Sequence, residues 1–290
     1  VADVCTQGVD TGFVALGYAK IAFLGVVQGL TELLPVSSTA HMRLVPALLG
    51  WQDPGSAFSA TMQLAALAAI VSYFWSDVRY VTFGSLDAVR RRDWRSPAMR
   101  LAIAIVIATV PIVIAGLLLS SSLNACGTSF RSLWVIGIAC VVMGLLLAVA
   151  ELYSRHRKSI EQMTLMDALF VGITQVGALV PGVSRSGSTL TGALFLGLKR
   201  EEAARFSFLL GLPAIALAGL KELYELHKAH IPMEAWSVLL VGLIVGSISS
   251  FITIWGLMRF LERFSTWPFV IYRIVLGAVI LFGVLTMGWA

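Results

Sequence analysis

The stretch TELLPVSSTAH, Thr31–His41, gathers a glutamate, two serines, two threonines and a histidine in a chain that is 58% hydrophobic. Ser38 and His41 stand three residues apart, so on a helix they share one face. A hydroxyl beside an imidazole is the arrangement of a nucleophile and its base. Glu32 could orient His41, act as a base itself, or bind a divalent cation together with Gln28, since Mg²⁺ and Ca²⁺ both take carboxylate and carbonyl oxygens. Pro35 breaks the chain just ahead of the cluster, and Ser37 is placed to cap the helix that follows. Thr39 reads as a hydroxyl for phosphate or as a packing residue.

A second polar island, VPGVSRSGST, runs from Val180 to Thr189. An unpaired charge at the centre of a bilayer costs about 2.5–3.5 kcal/mol or more, so Arg185 needs an anionic partner there. A planar guanidinium suits phosphate; Glu32 is the alternative, neutralising Arg185 when the site is empty. Ser184, Ser186, Ser188 and Thr189 could donate to phosphate oxygens, or cap and pack their helix. Gly182 and Gly187 flank Arg185 and would allow close backbone approach to a ligand. Arg273, in PFVIYR, either completes the phosphate clamp or snorkels to the surface.

The elements that must position these groups are membrane helices. Only 13% of the 290 residues are charged, against about 25% in soluble domains. Uncharged runs such as 54–76, 101–130 and 235–258 reach the roughly 20 residues needed to cross hydrocarbon. We read an all-α polytopic membrane protein, one integral membrane domain over 1–290. Six spans are expected, at about 57–75, 101–120, 132–152, 204–221, 236–258 and 268–287. Residues 13–49 and 165–198 are read as re-entrant helix hairpins, because broken helices at membrane depth survive only where protein or a wet cavity surrounds them.

If both hairpins return to their side of entry, segments 76–100, 153–164, 199–205 and 259–263 share one side and carry two thirds of the 21 lysines and arginines. That bias marks the side as cytoplasmic. It accounts for the net charge of +5 without a nucleic-acid partner. The halves are also alike: FLGVVQ…PVSS from Phe23 aligns without gaps on FVGITQ…GVSR from Phe170. Pseudo-repeats over about 13–152 and 165–287, each one hairpin plus three spans, must be inverted, so their tips meet near the midplane. Two helix N-termini there form an anion site.

The first ten residues contain no basic side chain, so no ordinary signal peptide is expected. The three cysteines lack metal-ligand spacing; a Cys5–Cys126 disulfide is left open, and Cys140 reads as an apolar filler. Lys20 and Arg43 are placed near the outer surface, and Glu151 at the interface.

At QGLTELLPVSSTAH (28–41) and PGVSRSGST (181–189) the chain resembles the bacterial undecaprenyl pyrophosphate phosphatases, the bacitracin-resistance phosphatases. The resemblance covers nearly the whole chain. It departs at Gln28, where many members carry Glu, and at Ala40, where Gly is usual, so Glu32 is the one carboxylate of the first motif. The resemblance implies an inner-membrane enzyme open to the periplasmic side. It would cleave the terminal phosphate of a C55 polyprenyl diphosphate, recycle the lipid carrier for peptidoglycan synthesis and use a divalent cation. Its partners are the lipid substrate and surrounding membrane lipids, with a homodimer left open. A lipid-phosphate transporter or flippase is the competing class; the Ser38/His41 pair favours an enzyme, since transport needs no nucleophile.

Overall fold

The computed structural model describes residues 5–6, 9–10, 12–123 and 132–289. Apart from a two-residue antiparallel pairing of Cys5–Thr6 with Val9–Asp10, the described chain is helical. The helices are α1 (Gly17–Leu33), α2 (Ser38–Leu48), α3 (Ser56–Tyr73), α4 (Trp75–Arg91), α5 (Pro97–Leu123), α6 (Leu133–Tyr153), α7 (Leu165–Val176), α8 (Arg185–Phe195), α9 (Arg200–Lys228), α10 (Met233–Leu261) and α11 (Trp267–Met287). Seven helical stretches among the described residues are long and apolar enough to cross a membrane. Six coincide with the expected spans. The seventh, Gly12–Leu33, is the first arm of the first interrupted segment, and it reaches 22 residues because a 3-10 turn extends α1. Large apolar side chains such as Leu117, Leu118, Ile248 and Leu285 point outward along these helices. This is the surface of a multi-pass membrane protein, whose outer face meets lipid rather than water.

Both interruptions follow from proline. The residue before a proline is pushed out of the helical region into extended backbone. Leu34, ahead of Pro35, has ψ 145°, and Val180, ahead of Pro181, has ψ 120°. The chain restarts through two serines with positive φ, Ser37 at 73° and Ser184 at 70°. Such backbone costs a side-chain-bearing residue about 1–3 kcal/mol. Each serine offsets part of that cost by capping: Ser37 Oγ accepts from Ala40 N at 3.3 Å and Ser184 Oγ from Gly187 N at 3.1 Å.

Small residues bring the helices close, as membrane helices require where burial alone gives no net drive to associate. α1 packs on α10, where a Cβ on Gly25 would sit 2.9 Å from the Gly242 carbonyl oxygen. α7 packs on α5, where a Cβ on Gly172 would sit 2.6 Å from Ala108 Cα. α6 packs on α11 through Gly137, Gly144 and Gly277.

The connecting segment 76–100 is not all loop: most of it is helix α4. Its exposed Tyr80, Phe83, Leu86 and Val89 stand among Arg79, Arg90 and Arg91, the pattern of a helix lying at a lipid–water boundary. A helix without a span-length apolar run gives no hydropathy peak. Glu151, near the end of α6, is buried, donated to by Arg200 Nε at 2.9 Å and Thr266 Oγ1 at 2.9 Å. Arg43 is paired with Asp53, and Lys20 lies over the Trp51 ring. Cys140 is buried and free. The Cys5–Cys126 pairing falls outside the described residues.

Candidate active site

The two restarting helices face each other across a shared polar centre. Ser38 is the first residue of α2 and Arg185 the first of α8. Both therefore sit at helix N-termini, where unpaired N–H groups and the dipole favour anions. Glu32, in the last turn of α1, links them. Ser38 Oγ donates to Glu32 Oε2 at 2.6 Å, and Arg185 Nη2 stands 3.4 Å from Glu32 Oε1. Gln28, one turn back, donates Nε2 to Glu32 Oε2 at 2.9 Å. An ionised carboxylate only accepts, so the amide nitrogen must face it and Gln28 Oε1 must face away. That oxygen is buried without a partner.

Sequence spacing paired Ser38 with His41; the structure gives each a different partner. His41 Nδ1 lies 2.7 Å from the Ser37 carbonyl, and Nε2 lies 2.6 Å from Tyr272 Oη. The i, i+3 rule puts two residues on one face, but it says nothing about a carboxylate reaching in from the preceding helix. Glu32, not His41, is the base within hydrogen-bond reach of the Ser38 hydroxyl.

Arg273 is 1% exposed, so it does not snorkel. Nor does it present a free fork. Its Nη1 donates to Pro35 O at 3.1 Å, and its Nη2 to Gly182 O and Val183 O at 2.8 and 2.9 Å. Nε reaches Cys140 O at 3.4 Å. One guanidinium thus ties both interruptions to α6 and α11, and the placement of Arg273 among phosphate ligands gives way to a clasp. Ser186 and Thr189 are similarly engaged. The Ser186 hydroxyl donates to Glu32 O or Leu34 O, at 3.1 and 3.2 Å, pinning the second interruption to the first. Thr189 is buried, bonded to Arg185 O at 2.8 Å and to Ser207. Ser188 Oγ also donates to Arg185 O, at 3.0 Å. Ser184 Oγ is half-buried and contacts Ser186 Oγ at 3.2 Å.

The groups left over for a ligand are Arg185, whose buried Nε has no partner, the Ser38 hydroxyl, Thr39 and the first backbone N–H groups of α2 and α8. A recess of about 180 Å³ opens at Ser38 and Thr39, lined also by Gln28, Ser56, Ser59 and Gln63, with Leu179 and Pro181. Ser56, Ser59 and Gln63 escaped the sequence reading. Their spacing along α3 puts them on one helical face, and a polar stripe in an otherwise apolar span was the available signal. Tyr272 was also missed, one residue before an arginine that drew all the attention. A larger cavity of about 560 Å³ lies under α4, bordered by Tyr80, Trp94, Arg100 and Arg205, and holds none of the site residues.

For a cation, the donors near Ser38 are oxygens: the Glu32 carboxylate, the unpartnered Gln28 Oε1 and hydroxyls. This set suits Mg²⁺ or Ca²⁺. Among the described residues no group of three or more His, Cys, Asp or Glu gathers, so substrate oxygens and water would have to complete the coordination sphere.

Fold and site together define a multi-pass helical membrane protein with a hydroxyl, a carboxylate and an arginine assembled between two proline-broken segments. The chain belongs to the bacitracin resistance protein BacA family, whose pattern it matches over residues 21–279. It is 69% identical over 263 residues to an undecaprenyl-diphosphatase 2 of Mesorhizobium japonicum, covering 91% of this chain and 99% of that protein. It is 50% identical over 264 residues to an undecaprenyl-diphosphatase of Synechococcus elongatus (91% and 92%). A third relative, the undecaprenyl-diphosphatase of Trichormus variabilis, is 46% identical over 276 residues (95% and 86%).

Proposed function

We propose that this protein is an undecaprenyl-diphosphate phosphatase. It hydrolyses undecaprenyl diphosphate to undecaprenyl phosphate and inorganic phosphate, returning the lipid carrier to peptidoglycan synthesis and conferring bacitracin resistance. The observation that carries the chemistry is the 2.6 Å bond from Ser38 Oγ to Glu32, with Arg185 on the other carboxylate oxygen. Ser38 Oγ attacks the distal phosphorus while Glu32 takes its proton. The anhydride P–O bond breaks and undecaprenyl phosphate leaves. Water then attacks the phosphoserine, aided by His41, releasing inorganic phosphate and restoring the serine hydroxyl. Arg185 and the N-termini of α2 and α8 stabilise the equatorial oxygens, which is most of what phosphoryl transfer demands. A divalent cation would be held by Glu32, joined by Gln28 Oε1 once the amide turns over and gives up its bond to the carboxylate, and would neutralise charge on the diphosphate.

The two interrupted segments act as re-entrant hairpins of an inverted repeat within one membrane domain. Supporting this, α1 on α10 is matched by α7 on α5, and the glycines at those contacts, Gly25 and Gly172, correspond between the halves. The serines at 37 and 184 also correspond, in sequence and in backbone. The enzyme lies in the bacterial inner membrane with its site open to the outer side, a reading supported by the charge bias of the connecting segments.

The test is detergent-solubilised protein with a soluble short-chain prenyl diphosphate. Ser38→Ala should bind but release no phosphate, and acid quench of the unmodified enzyme should trap phosphoserine. Full turnover by Ser38→Ala would leave water, with Glu32 as its base, or His41 as the attacking group. Binding without turnover by the unmodified protein would favour the transporter.

A further inference from the structure

We propose that Tyr272 is a positioning residue that holds the basic nitrogen of His41 in reserve for the second half of the reaction. The proposal rests on the phosphoserine reading above. A carbonyl oxygen only accepts, so the 2.7 Å contact with Ser37 O fixes the His41 proton on Nδ1. In the neutral ring the lone pair is then on Nε2, and the Tyr272 hydroxyl, 2.6 Å away, donates to it. The two rings lie nearly parallel, 5° apart with centroids 5.6 Å apart, so the tyrosine fixes the plane of the imidazole as well as its bond.

This arrangement explains why His41 does not serve Ser38. Both ring nitrogens are engaged, Nδ1 with Ser37 O and Nε2 with Tyr272 Oη, while the Ser38 proton goes to Glu32. Nothing in the first step then needs the imidazole. Tyr272 differs from its neighbour Arg273 in being 45% exposed, so it stands at the edge of the buried centre rather than within it. When the phosphoserine has formed, a small rotation of the phenol releases Nε2 to take a proton from incoming water. The ordering follows from hydrogen-bond roles alone: Ser37 O decides which nitrogen carries hydrogen, and Tyr272 decides where the other one points.

The experiment compares Tyr272→Phe with Tyr272→Leu in detergent, on a short-chain prenyl diphosphate. The phenylalanine keeps the ring and removes the hydroxyl; the leucine removes both. Tyr272→Phe should lower kcat about tenfold, lower KM with it, and raise the amount of phosphoserine trapped by acid quench, because only the second step is slowed. In ¹⁵N-histidine spectra, assigned by loss of the signal in His41→Asn, the Nε2 resonance should move toward that of an imidazole nitrogen with no donor, while Nδ1 stays protonated. Unmodified kcat in Tyr272→Phe, or a loss in Tyr272→Leu alone, would reduce Tyr272 to packing and overturn the proposal. An unmoved Nε2 resonance would overturn it too, whatever the kinetics. If the unmodified enzyme shows no phosphoserine, the serine mechanism fails, and the spectra still decide whether the Tyr272–His41 bond exists.

Discussion

Gly211, in the middle of α9, makes room for Arg185. A Cβ built on Gly211 would overlap Arg185 Nη1 and stand 2.9 Å from Cζ. Comfortable carbon–carbon contact begins at about 3.5 Å. Gly211→Ala therefore forces the guanidinium to retreat by about 1.5–2 Å or swing aside. Its contact with Glu32 is already long at 3.4 Å, so it has little to hold it in place. Displacements of this size can cost on the order of 10²-fold, and losing one charge-stabilising donor costs about 10²–10³ in rate. The helix itself should gain, because alanine is favoured over glycine by about 1 kcal/mol in a helix interior. The expected result is a fall of about two orders of magnitude in kcat/KM with the melting temperature in detergent held or raised. Phosphate release with a short-chain prenyl diphosphate and a thermal scan on the same preparation measure both. Full kcat/KM in Gly211→Ala would show that Arg185 need not occupy its observed seat. A fall in melting temperature that parallels the activity loss would show that the damage is to the fold.

Arg273→Ala should destabilise the protein by several kcal/mol, since hydrogen bonds to a charged group contribute about 1.5–3 kcal/mol each and four carbonyls lose their donor. An unaltered melting temperature with a raised KM would instead make Arg273 a phosphate ligand. Ser184→Ala removes the α8 cap and should cost about 1 kcal/mol, read by thermal unfolding, together with a loss of activity as Arg185 loosens. Gly172→Val should part α7 from α5 and cost about 1–3 kcal/mol, because the added carbons meet Ala108 backbone rather than a movable side chain. Chelation should lower turnover and added Mg²⁺ or Ca²⁺ restore it, and Gln28→Glu should reduce the cation concentration needed for half-maximal rate.

Much of this was legible in the residues. Apolar runs of bilayer length announce the spans, and Pro35 and Pro181 announce the breaks. The alignment of Ser37 on Ser184 pointed to the two serines that the structure caps in the same way. Partners were less legible. Glu32 lies six residues before Ser38, a spacing that no helical rule singles out, and only the turn at Leu34–Ser37 folds one back onto the other. For Arg273 the sequence offers a phosphate clamp or a snorkelling side chain, and the structure shows neither geometry. Its partners are backbone carbonyls, which every sequence has and no pattern reveals. Tyr272 acts across 231 positions of chain, a contact that only the packing of α11 against α6 and the first interruption creates. Gly211 carries no side chain, and its function is the space it leaves.

The loose ion pair between Glu32 and Arg185 bears on how the catalytic cycle resets. An arginine left bare among helix N-termini would grip freed orthophosphate tightly and stall the next encounter. Here a tethered carboxylate waits 3.4 Å away, competing for the same cation at high local concentration. On the proposed mechanism, Glu32 would compete for Arg185 as the orthophosphate departs and so discourage rebinding. The same competition would raise the concentration at which orthophosphate inhibits, because it must outbid an anion that never diffuses away.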